Sequence, residues 1–225
     1  MKHLFENTLY INLDSRPDKN ELTLKQFKKM GITAQRISAV DTTLFLKEGS
    51  GSGGSPGMLG CGLSHLKCLK LAKEKGWEYA FICEDDVDFT NPELFKISLQ
   101  KFLDDPNSPD WDVLLIGGNL QEGIKLNEYS VRVRKAHCTV SYIVKKRYYD
   151  KWIKNLEEST DLLKNNLKED GRFGLDVWWL KLQKEDTFIM IIPATVSQTK
   201  GYSDISKFVQ DHSDALLNYQ KGLRK

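Results

Sequence analysis

The sequence has few cysteines, no long apolar run and almost no net charge, and each absence excludes a class of protein. The four cysteines form no CxxC pair and no Cys/His zinc pattern, so buried free thiols in a reducing compartment are expected rather than a disulfide scaffold. The net charge of +2 offers no strong basic field, so nucleic acid is not an expected partner. No apolar stretch approaches the length of a membrane span, and no transmembrane segment is therefore expected.

The composition that remains is that of an ordinary globular protein. Its 225 residues are 40% apolar and 28% charged, and a chain of this size can bury a substantial core. We expect one domain spanning residues 1–225. The first residues lack the apolar core of a secretion signal, which favours a cytoplasmic protein, free or peripheral to a membrane, although an excised domain would look the same.

Short apolar runs alternate with helical patterns along the chain. A turn and helix start at residues 14–18, with a Ser/Asp cap and an early proline, should lead into a helix that ends at Gly31. An aromatic stripe over residues 148–156 is more typical of core than of a binding surface. This alternation indicates an α/β protein with a doubly wound sheet flanked by helices. Strands are predicted at residues 8–13, 33–40, 77–83, 111–118, 138–144 and 187–193, and a polar surface connection at residues 119–130.

The segment at residues 49–55 consists only of glycine and serine, unlike the rest of the chain. Such a composition is typical of a flexible linker. A natural Gly/Ser loop is one interpretation. We favour an engineered replacement for a longer mobile loop, which is excluded from fold reasoning and which would leave out some residues that once covered a site.

The strongest functional signal is a strand that ends in packed carboxylates, at residues 77–89. In α/β sheets, ligands bind beyond the carboxyl ends of the strands, so Glu84, Asp85, Asp86 and Asp88 would form a site for a hard cation there. Strand alternation would put Glu84, Asp86 and Asp88 on one side and turn Asp85 away. The alternative is an acidic loop whose carboxylates are solvated or cap the next helix.

Other candidate residues have structural alternatives of equal weight. The glycines of residues 56–66 permit close backbone approach, and the start of the helix there could offer N–H groups to an anion. His65, a lone helix histidine, is more often structural than catalytic. Asp176 near a helix start could simply cap it. His212 lies in a charged, weakly helical tail and could be a surface histidine.

Several segments, taken in order along most of the chain, resemble glycosyltransferase family 25, which includes bacterial lipopolysaccharide glycosyltransferases and procollagen galactosyltransferases. A single such motif would be weak, but the ordered set is specific. Asp88 and the glycine/serine segment depart from the family's pattern. The matching segments are YINLDSRPD (residues 10–18), RISAVD (36–41), GCGLSH (60–65), EDDV (84–87), HCTVSYIV (137–144) and DVWW (176–179), with Gln198, Ser203 and Asp204.

The resemblance implies a GT-A-type, Rossmann-like mixed sheet, a nucleotide-sugar donor and usually a manganese ion, Mn²⁺ or another divalent cation. It also implies an inverting transfer of a hexose from UDP-galactose or UDP-glucose. The acceptor would be hydroxylysine of a collagen-like protein or a sugar of lipopolysaccharide. A homodimer is a further expectation, and an excised domain of the collagen type would come from the endoplasmic reticulum lumen.

Matching the family motifs to these positions assigns provisional roles. Asp176 is the candidate base that takes the proton from the acceptor hydroxyl. Trp178 or Trp179 could stack on an acceptor, although core packing is the commoner fate of tryptophan. The predicted metal ligands are Glu84, Asp86 and His212. The predicted donor-binding residues are Asn12, Arg16, Asp41, Ser64, His65 and Asp85. Of these, Arg16 would contact a phosphate and Asp41 would contact the base or the ribose. Asp85 would face the nucleotide or brace the site.

Two other functions compete with a metal-dependent hexosyltransferase. A non-catalytic nucleotide-sugar-binding module would keep the donor pocket and lack a working base. Another metal enzyme, such as a phosphohydrolase, would be expected to show further clustered acids or histidines for a second metal, and the sequence shows none.

Overall fold

The computed structural model describes residues 1–42, 56–166 and 171–224. The glycine/serine segment at residues 49–55 lies outside the described residues. Ten strands and seven α-helices are described in chain order: β1 (Thr8–Asn12), α1 (Pro17–Met30), β2 (Gln35–Ser38), α2 (Pro56–Glu74), β3 (Tyr79–Glu84), β4 (Val87–Phe89), α3 (Pro92–Asp104), β5 (Val113–Lys125), β6 (Ser130–Lys145), α4 (Tyr149–Asn165), α5 (Leu175–Trp178), α6 (Leu180–Glu185), β7 (Phe188–Ile191), β8 (Val196–Gln198), β9 (Gly201–Tyr202), β10 (Val209–Gln210) and α7 (Ser213–Leu217).

A mixed sheet of six strands, in the order β2-β1-β3-β6-β5-β7, forms the centre of the fold. Strand β1 is parallel to β2 and to β3, and β5 is parallel to β7. Strand β6 runs antiparallel to β3, β5 and β7. The predicted fold class, an α/β GT-A-type Rossmann-like mixed sheet flanked by helices, is confirmed. That residues 1–225 form a single domain stays a prediction.

Both faces of this sheet are covered, which explains why its strands are apolar on both sides. Within β1, Leu9 and Ile11 pack towards helices α2 and α4. Tyr10, between them, packs on the opposite face with Phe27 of α1 and Phe95 of α3. The aromatic stripe on α4 is core, as predicted, because Tyr148, Trp152 and Leu156 are all buried.

The helix boundaries follow local chemistry. Pro17 occupies the first turn of α1, and Gly31 ends that helix in the left-handed conformation at φ 69°, as predicted. Asn91 caps α3 by accepting a hydrogen bond of 3.0 Å from the backbone N–H of Leu94. The Ser/Asp cap predicted for α1 is wrong, since Arg16 is its N-cap residue and makes no side-chain cap hydrogen bond.

Two predicted boundaries are wrong in ways that matter for the site. Residues 119–130 are not a surface connection, because β5 continues to Lys125 and pairs with β6 from Ser130 onward. Register shifts between β5 and β6 allow the polar residues of this stretch to stay paired with the neighbouring strand. Helix α2 begins at Pro56, so Ser64 and His65 lie inside the helix rather than at its start.

Among the described residues, none of the helices combines the length and apolarity that crossing a membrane would require.

Helix α2 crosses the end of β2 closely at Gly60, and this contact yields the first prediction. A Cβ atom at Gly60 would overlap the backbone carbonyl oxygen of Val40. We expect Gly60→Ala to cost about 1–3 kcal/mol of unfolding free energy through overpacking. For a chain of this size, each kcal/mol lowers the melting temperature by about 2–4 °C.

Gly201→Ala is the matched control, because the nearest atom to a Cβ at that position lies 4.0 Å away. Thermal unfolding of both variants should show a loss for Gly60→Ala alone. Equal melting temperatures for the two would refute the close crossing.

Candidate active site

The acidic motif lies at the carboxyl end of β3, a central strand of the sheet, and opens into a cleft of about 450 Å³. The walls come from the ends of β1, β2 and β3, from α2, and from the segments around residues 138, 176 and 198–212. Of the predicted site residues, Asn12, Asp41, Ser64, His65, Glu84, Asp85, Asp86, Asp176 and His212 line this cleft, and Arg16 does not. Their proposed roles stay predictions.

Glu84 is the last residue of β3 and is held by two side chains. The Thr139 hydroxyl donates a hydrogen bond of 2.7 Å to Glu84 Oε1, and His65 Nε2 lies 3.5 Å from the same oxygen. Burial by itself would raise the pKa of Glu84, but the interactions with His65 and Thr139 outweigh it and lower the pKa. Glu84 is therefore a carboxylate at neutral pH.

Asp85 follows in a turn and faces the cleft. Its Oδ2 accepts a hydrogen bond of 2.8 Å from Asn12 Nδ2, and Lys19 Nζ lies 3.4 Å from its Oδ1. Burial raises the pKa of Asp85, and the charge of Lys19 opposes that rise. The expectation that Asp85 turns away from Glu84 and Asp86 is wrong, because the strand ends at Glu84 and alternation does not continue through a turn.

Asp86 is the least compensated of the three acids. Both of its carboxylate oxygens lie 3.4 Å from Gln198 Nε2, at the long end of hydrogen bonding. Burial, reinforced by the negative charge of Glu84, raises the pKa of Asp86 to about 7. Asp88 is not part of this cluster, since it lies on β4, outside the cleft, with Lys29 Nζ 4.0 Å from its Oδ1.

Ser64 and His65 line the cleft from inside α2 and make hydrogen bonds within the protein. The Ser64 hydroxyl donates to the Gly60 carbonyl at 2.6 Å and accepts from the Val40 N–H at 2.8 Å, so its hydrogen-bonding capacity is used within the protein. His65 is completely buried, with Nδ1 2.8 Å from the Tyr142 hydroxyl. That Ser64 and His65 contact the donor stays a prediction.

Arg16 is the predicted site residue that the structure places elsewhere. Its guanidinium forms an ion pair with Asp204 and hydrogen bonds of 2.9 and 2.8 Å to Asp18. Lys19, one helical turn further along α1, lines the cleft instead and makes the contact with Asp85. Burial would lower the pKa of Lys19, but Asp85 and Asp86 outweigh it and raise the pKa, so the side chain stays charged.

Asp176 lies in the cleft wall at the start of α5. Gly174 is the N-cap residue of this helix, so Asp176 is not its N-cap and lies in the first turn. Its Oδ2 instead accepts a hydrogen bond of 3.2 Å from the backbone N–H of Cys138. Cys138 has a φ of 66°, a conformation that is costly for a residue with a side chain and that aims its N–H at the carboxylate.

His212 and the two tryptophans complete the predicted set. His212 lines the cleft, and its Nε2 lies 2.9 Å from Gln210 Oε1. Trp179 is fully buried and donates to the Ala136 carbonyl at 3.0 Å, so it is core. Trp178 packs against Phe173 and lies under the ammonium of Lys181, outside the cleft. Neither tryptophan therefore faces the cleft as an acceptor platform.

The thiols that line the cleft are not nucleophiles. Burial, reinforced by the charge of Glu84, raises the pKa of Cys61, and burial with the charge of Asp176 raises the pKa of Cys138 to about 12. Both thiols are therefore neutral at pH 7. All four cysteines are free, as predicted, and Cys68 and Cys83 are buried.

Sequence reasoning gave no site role to four residues that line the cleft: Lys19, Thr139, Gln198 and Asp204. The last three lie in the family-like segments, but nothing local showed what they contact. Lys19 resembled the other lysines of a solvated helix face, and only its spacing of three residues from Arg16 could have pointed to it. The hydroxyl of Thr139 carries no local signal, because its partner Glu84 lies on another strand.

Comparisons of the sequence with known proteins indicate its family. The model of the family described as "Glycosyltransferase family 25 (LPS biosynthesis protein)" matches residues 5–202. Procollagen galactosyltransferase 1 of Danio rerio is 30% identical over 131 residues, which cover 50% of this chain and 21% of that protein. The chain thus spans about a fifth of that relative's length.

Two solved structures are similar to this chain at low identity. One is described as mannose-1-phosphate geranyltransferase from Thermus thermophilus, with 11% identity, a TM-score of 0.44, and coverage of 82% of this chain and 73% of that one. The other is a glycosyltransferase involved in the glycosylation of the major capsid of PBCV-1, with 10% identity, a TM-score of 0.41, and coverage of 83% and 92%. At these values the likenesses carry no functional information about this chain.

The raised pKa of Asp86 predicts a specific dependence of stability on pH. Between its usual value near 4 and about 7, the folded protein binds this proton more tightly than the unfolded chain does. The free energy of unfolding therefore falls as pH rises through that window. Asp86→Asn removes the buried charge, so the cation-free variant should melt several degrees above the parent at pH 8, with a smaller difference at pH 5.

Asp88→Asn is the control, because Asp88 lies outside the cleft. Melting curves from pH 5 to 8 without divalent cations measure both variants. A stability difference between Asp86→Asn and the parent that does not change with pH would contradict the assignment.

Proposed function

Because the chain belongs to glycosyltransferase family 25, we propose that it transfers a hexose, galactose or glucose, from a UDP-sugar to a hydroxyl group, with inversion and with Mn²⁺ or another divalent cation. The transferase class comes from the family. The donor, the metal and the stereochemistry are the proposal, supported by the arrangement of the cleft.

One observation carries the proposal: three consecutive acids at the carboxyl edge of the sheet, Glu84, Asp85 and Asp86, all line a cleft that Asp176 also lines. Ligands of α/β sheets bind at this edge. The cleft volume of about 450 Å³ is within the range of small-molecule sites. A donor site and a candidate base thus share one cavity.

The acids suit a hard divalent cation. Asp86 is half-buried beside Glu84, and desolvation together with the charge of Glu84 raises its pKa. Its side-chain contacts to Gln198 are long. Oxygen donors with uncompensated negative charge are what Mn²⁺ and Mg²⁺ bind best. Glu84 and Asp86 would hold the ion, with His212 as a further ligand from the C-terminal segment. When bound, the cation supplies positive charge that stabilises a departing nucleotide diphosphate.

The residues of the chain account for the rest of donor binding. Asn12 and Asp41, at the ends of β1 and β2, line the side of the cleft where a nucleoside would lie. Arg36 fixes Asn12 by donating to its Oδ1 at 2.9 Å. Lys19 is charged, faces the cleft and is the cation best placed to meet a phosphate, a role that the sequence alone had suggested for Arg16.

Asp176 supplies the base in this proposal. Its side chain is 33% exposed, so an acceptor hydroxyl can reach it. The hydrogen bond from Cys138 N–H fixes one carboxylate oxygen. A carboxylate held in this way takes the proton from the acceptor hydroxyl as the hydroxyl attacks the sugar carbon that releases UDP.

The acceptor is either hydroxylysine of a collagen-like protein or a lipopolysaccharide sugar. The name of the zebrafish relative supports the first, and the description of the family supports the second. A screen of UDP-sugars against collagen-type peptides and saccharides, with mass detection, separates the two and identifies the sugar. A homodimer is compatible with either acceptor.

Donor binding gives a direct prediction. UDP with Mn²⁺ should raise the melting temperature, by an amount equivalent to about 2.7 kcal/mol when the ligand is at 100 times its dissociation constant. The rise should be much smaller for UDP alone and in Asp86→Ala. Asp88→Ala, which alters an acid two residues away outside the cleft, should keep it. No rise in the parent at saturating UDP and Mn²⁺ would refute the donor site.

Catalysis gives a separate prediction. Asp176→Asn keeps the shape of the side chain, so the variant should keep the UDP-dependent rise in melting temperature. Its turnover should fall by about 10²–10⁴-fold, the usual contribution of a general base. Product formation by mass spectrometry provides the measurement. Unchanged turnover would make Asp176 structural, and an inactive parent that still binds UDP would favour the binding-module alternative.

A further inference from the structure

We propose that Cys61, His65 and Glu84 form a second binding site, for a thiophilic divalent cation of the Zn²⁺ class, beside the acid pair and sharing Glu84 with it. Within the described residues, one ligand atom from each of these three side chains lies within 4.8 Å of the other two. No disulfide competes for the sulfur, since Cys61 is a free thiol.

The side chain of His65 is the second observation that points to a ligand. It is completely buried, yet its Nε2 has no hydrogen-bond partner, and the nearest acidic oxygen, Glu84 Oε1, lies 3.5 Å away. The other ring nitrogen, Nδ1, is 2.8 Å from the Tyr142 hydroxyl. Metal-binding histidines are characteristically held in this way, with one nitrogen fixed by an outer partner and the other directed at the ion.

The fold brings these ligands together through two elements. Cys61 and His65 lie four residues apart on α2 and so share one face of the helix. Glu84 at the end of β3 faces them, and the Thr139 hydroxyl orients its carboxylate. The sequence contains no Cys/His zinc pattern, because the third ligand comes from a strand 19 positions after His65 in the printed chain.

The set of ligand atoms selects for a soft or borderline ion. One sulfur, one imidazole nitrogen and one carboxylate oxygen are the ligands of Zn²⁺, whereas Mn²⁺ and Mg²⁺ prefer oxygen alone. Three protein ligands leave the fourth position of a tetrahedral ion to water from the cleft. Binding exchanges the thiol proton of Cys61 for the cation and releases that proton to solvent.

Sharing Glu84 makes the two sites mutually exclusive, a consequence that rests on the proposed function. An ion held by Cys61 and His65 withdraws Glu84 from the pair Glu84–Asp86 that would hold Mn²⁺. Zn²⁺ should therefore weaken binding of Mn²⁺ even when Mn²⁺ is in excess.

Co²⁺ is the probe for the site, because a Co²⁺–thiolate bond gives an intense near-ultraviolet charge-transfer absorption that oxygen and nitrogen ligands do not give. Titration of the parent protein should produce this band at one equivalent, and Zn²⁺ should abolish it by displacement. Cys61→Ser should lose the band. Cys138→Ser is the matched control, since Cys138 lines the same cleft and is not one of the three clustered ligands, and it should keep the band.

The parent protein alone is enough to overturn the proposal, whether or not the variants fold. Absence of a thiolate band at saturating Co²⁺ would mean that His65 and Glu84 form only an ion pair. A band that survives in Cys61→Ser would place the thiolate elsewhere. Asp86→Asn should keep the Co²⁺ band and lose UDP–Mn²⁺ stabilisation, so a failure of this site and a failure of the proposed function give different results.

Discussion

Burial of negative charge at the end of β3 is the constraint on which the rest of this structure depends. Ionised carboxylates cannot be removed from water without partners. His65 on α2 and Thr139 on β6 face Glu84. Lys19 on α1 faces Asp85, and Gln198 on β8 makes long contacts to Asp86. These partners have to converge on one strand end, and the walls they form are the walls of the cleft.

Helix α2 links this acidic end to the outer strands. Gly60 permits the close crossing over Val40, and Ser64 accepts a hydrogen bond from the Val40 N–H one turn later. The next residue, His65, contacts Glu84. A short stretch of one helix therefore contacts both the segment after β2 and the acidic end of β3, which explains why a buried serine and histidine in the family-like segment hold other groups in place.

Glu84 lies between two kinds of potential metal ligand. Its neighbour Asp86 is an oxygen ligand with little compensation, while His65 and Cys61 offer nitrogen and sulfur. The same carboxylate can therefore belong to a hard-ion site or to a soft-ion site, and the identity of the ion decides which neighbours are used. The first arrangement is the one that the proposed function uses. The second follows from the unpartnered Nε2 of His65.

The sequence by itself determined the features that depend on local pattern. Apolar runs and helical stripes located the central strands, the buried face of α4 and the end of α1 at Gly31, and the clustered acids marked the functional edge of the sheet. Its errors fall where distant residues decide. The extension of β5 beyond residue 119 depends on β6, and Lys19 rather than Arg16 faces the acids because Asp18 and Asp204 hold Arg16. Asn12 and Asp85 meet across 73 residues of chain. Only the tertiary structure decides such contacts, because local propensity reports on neighbours in sequence, whereas the partners of a buried charge are chosen by packing.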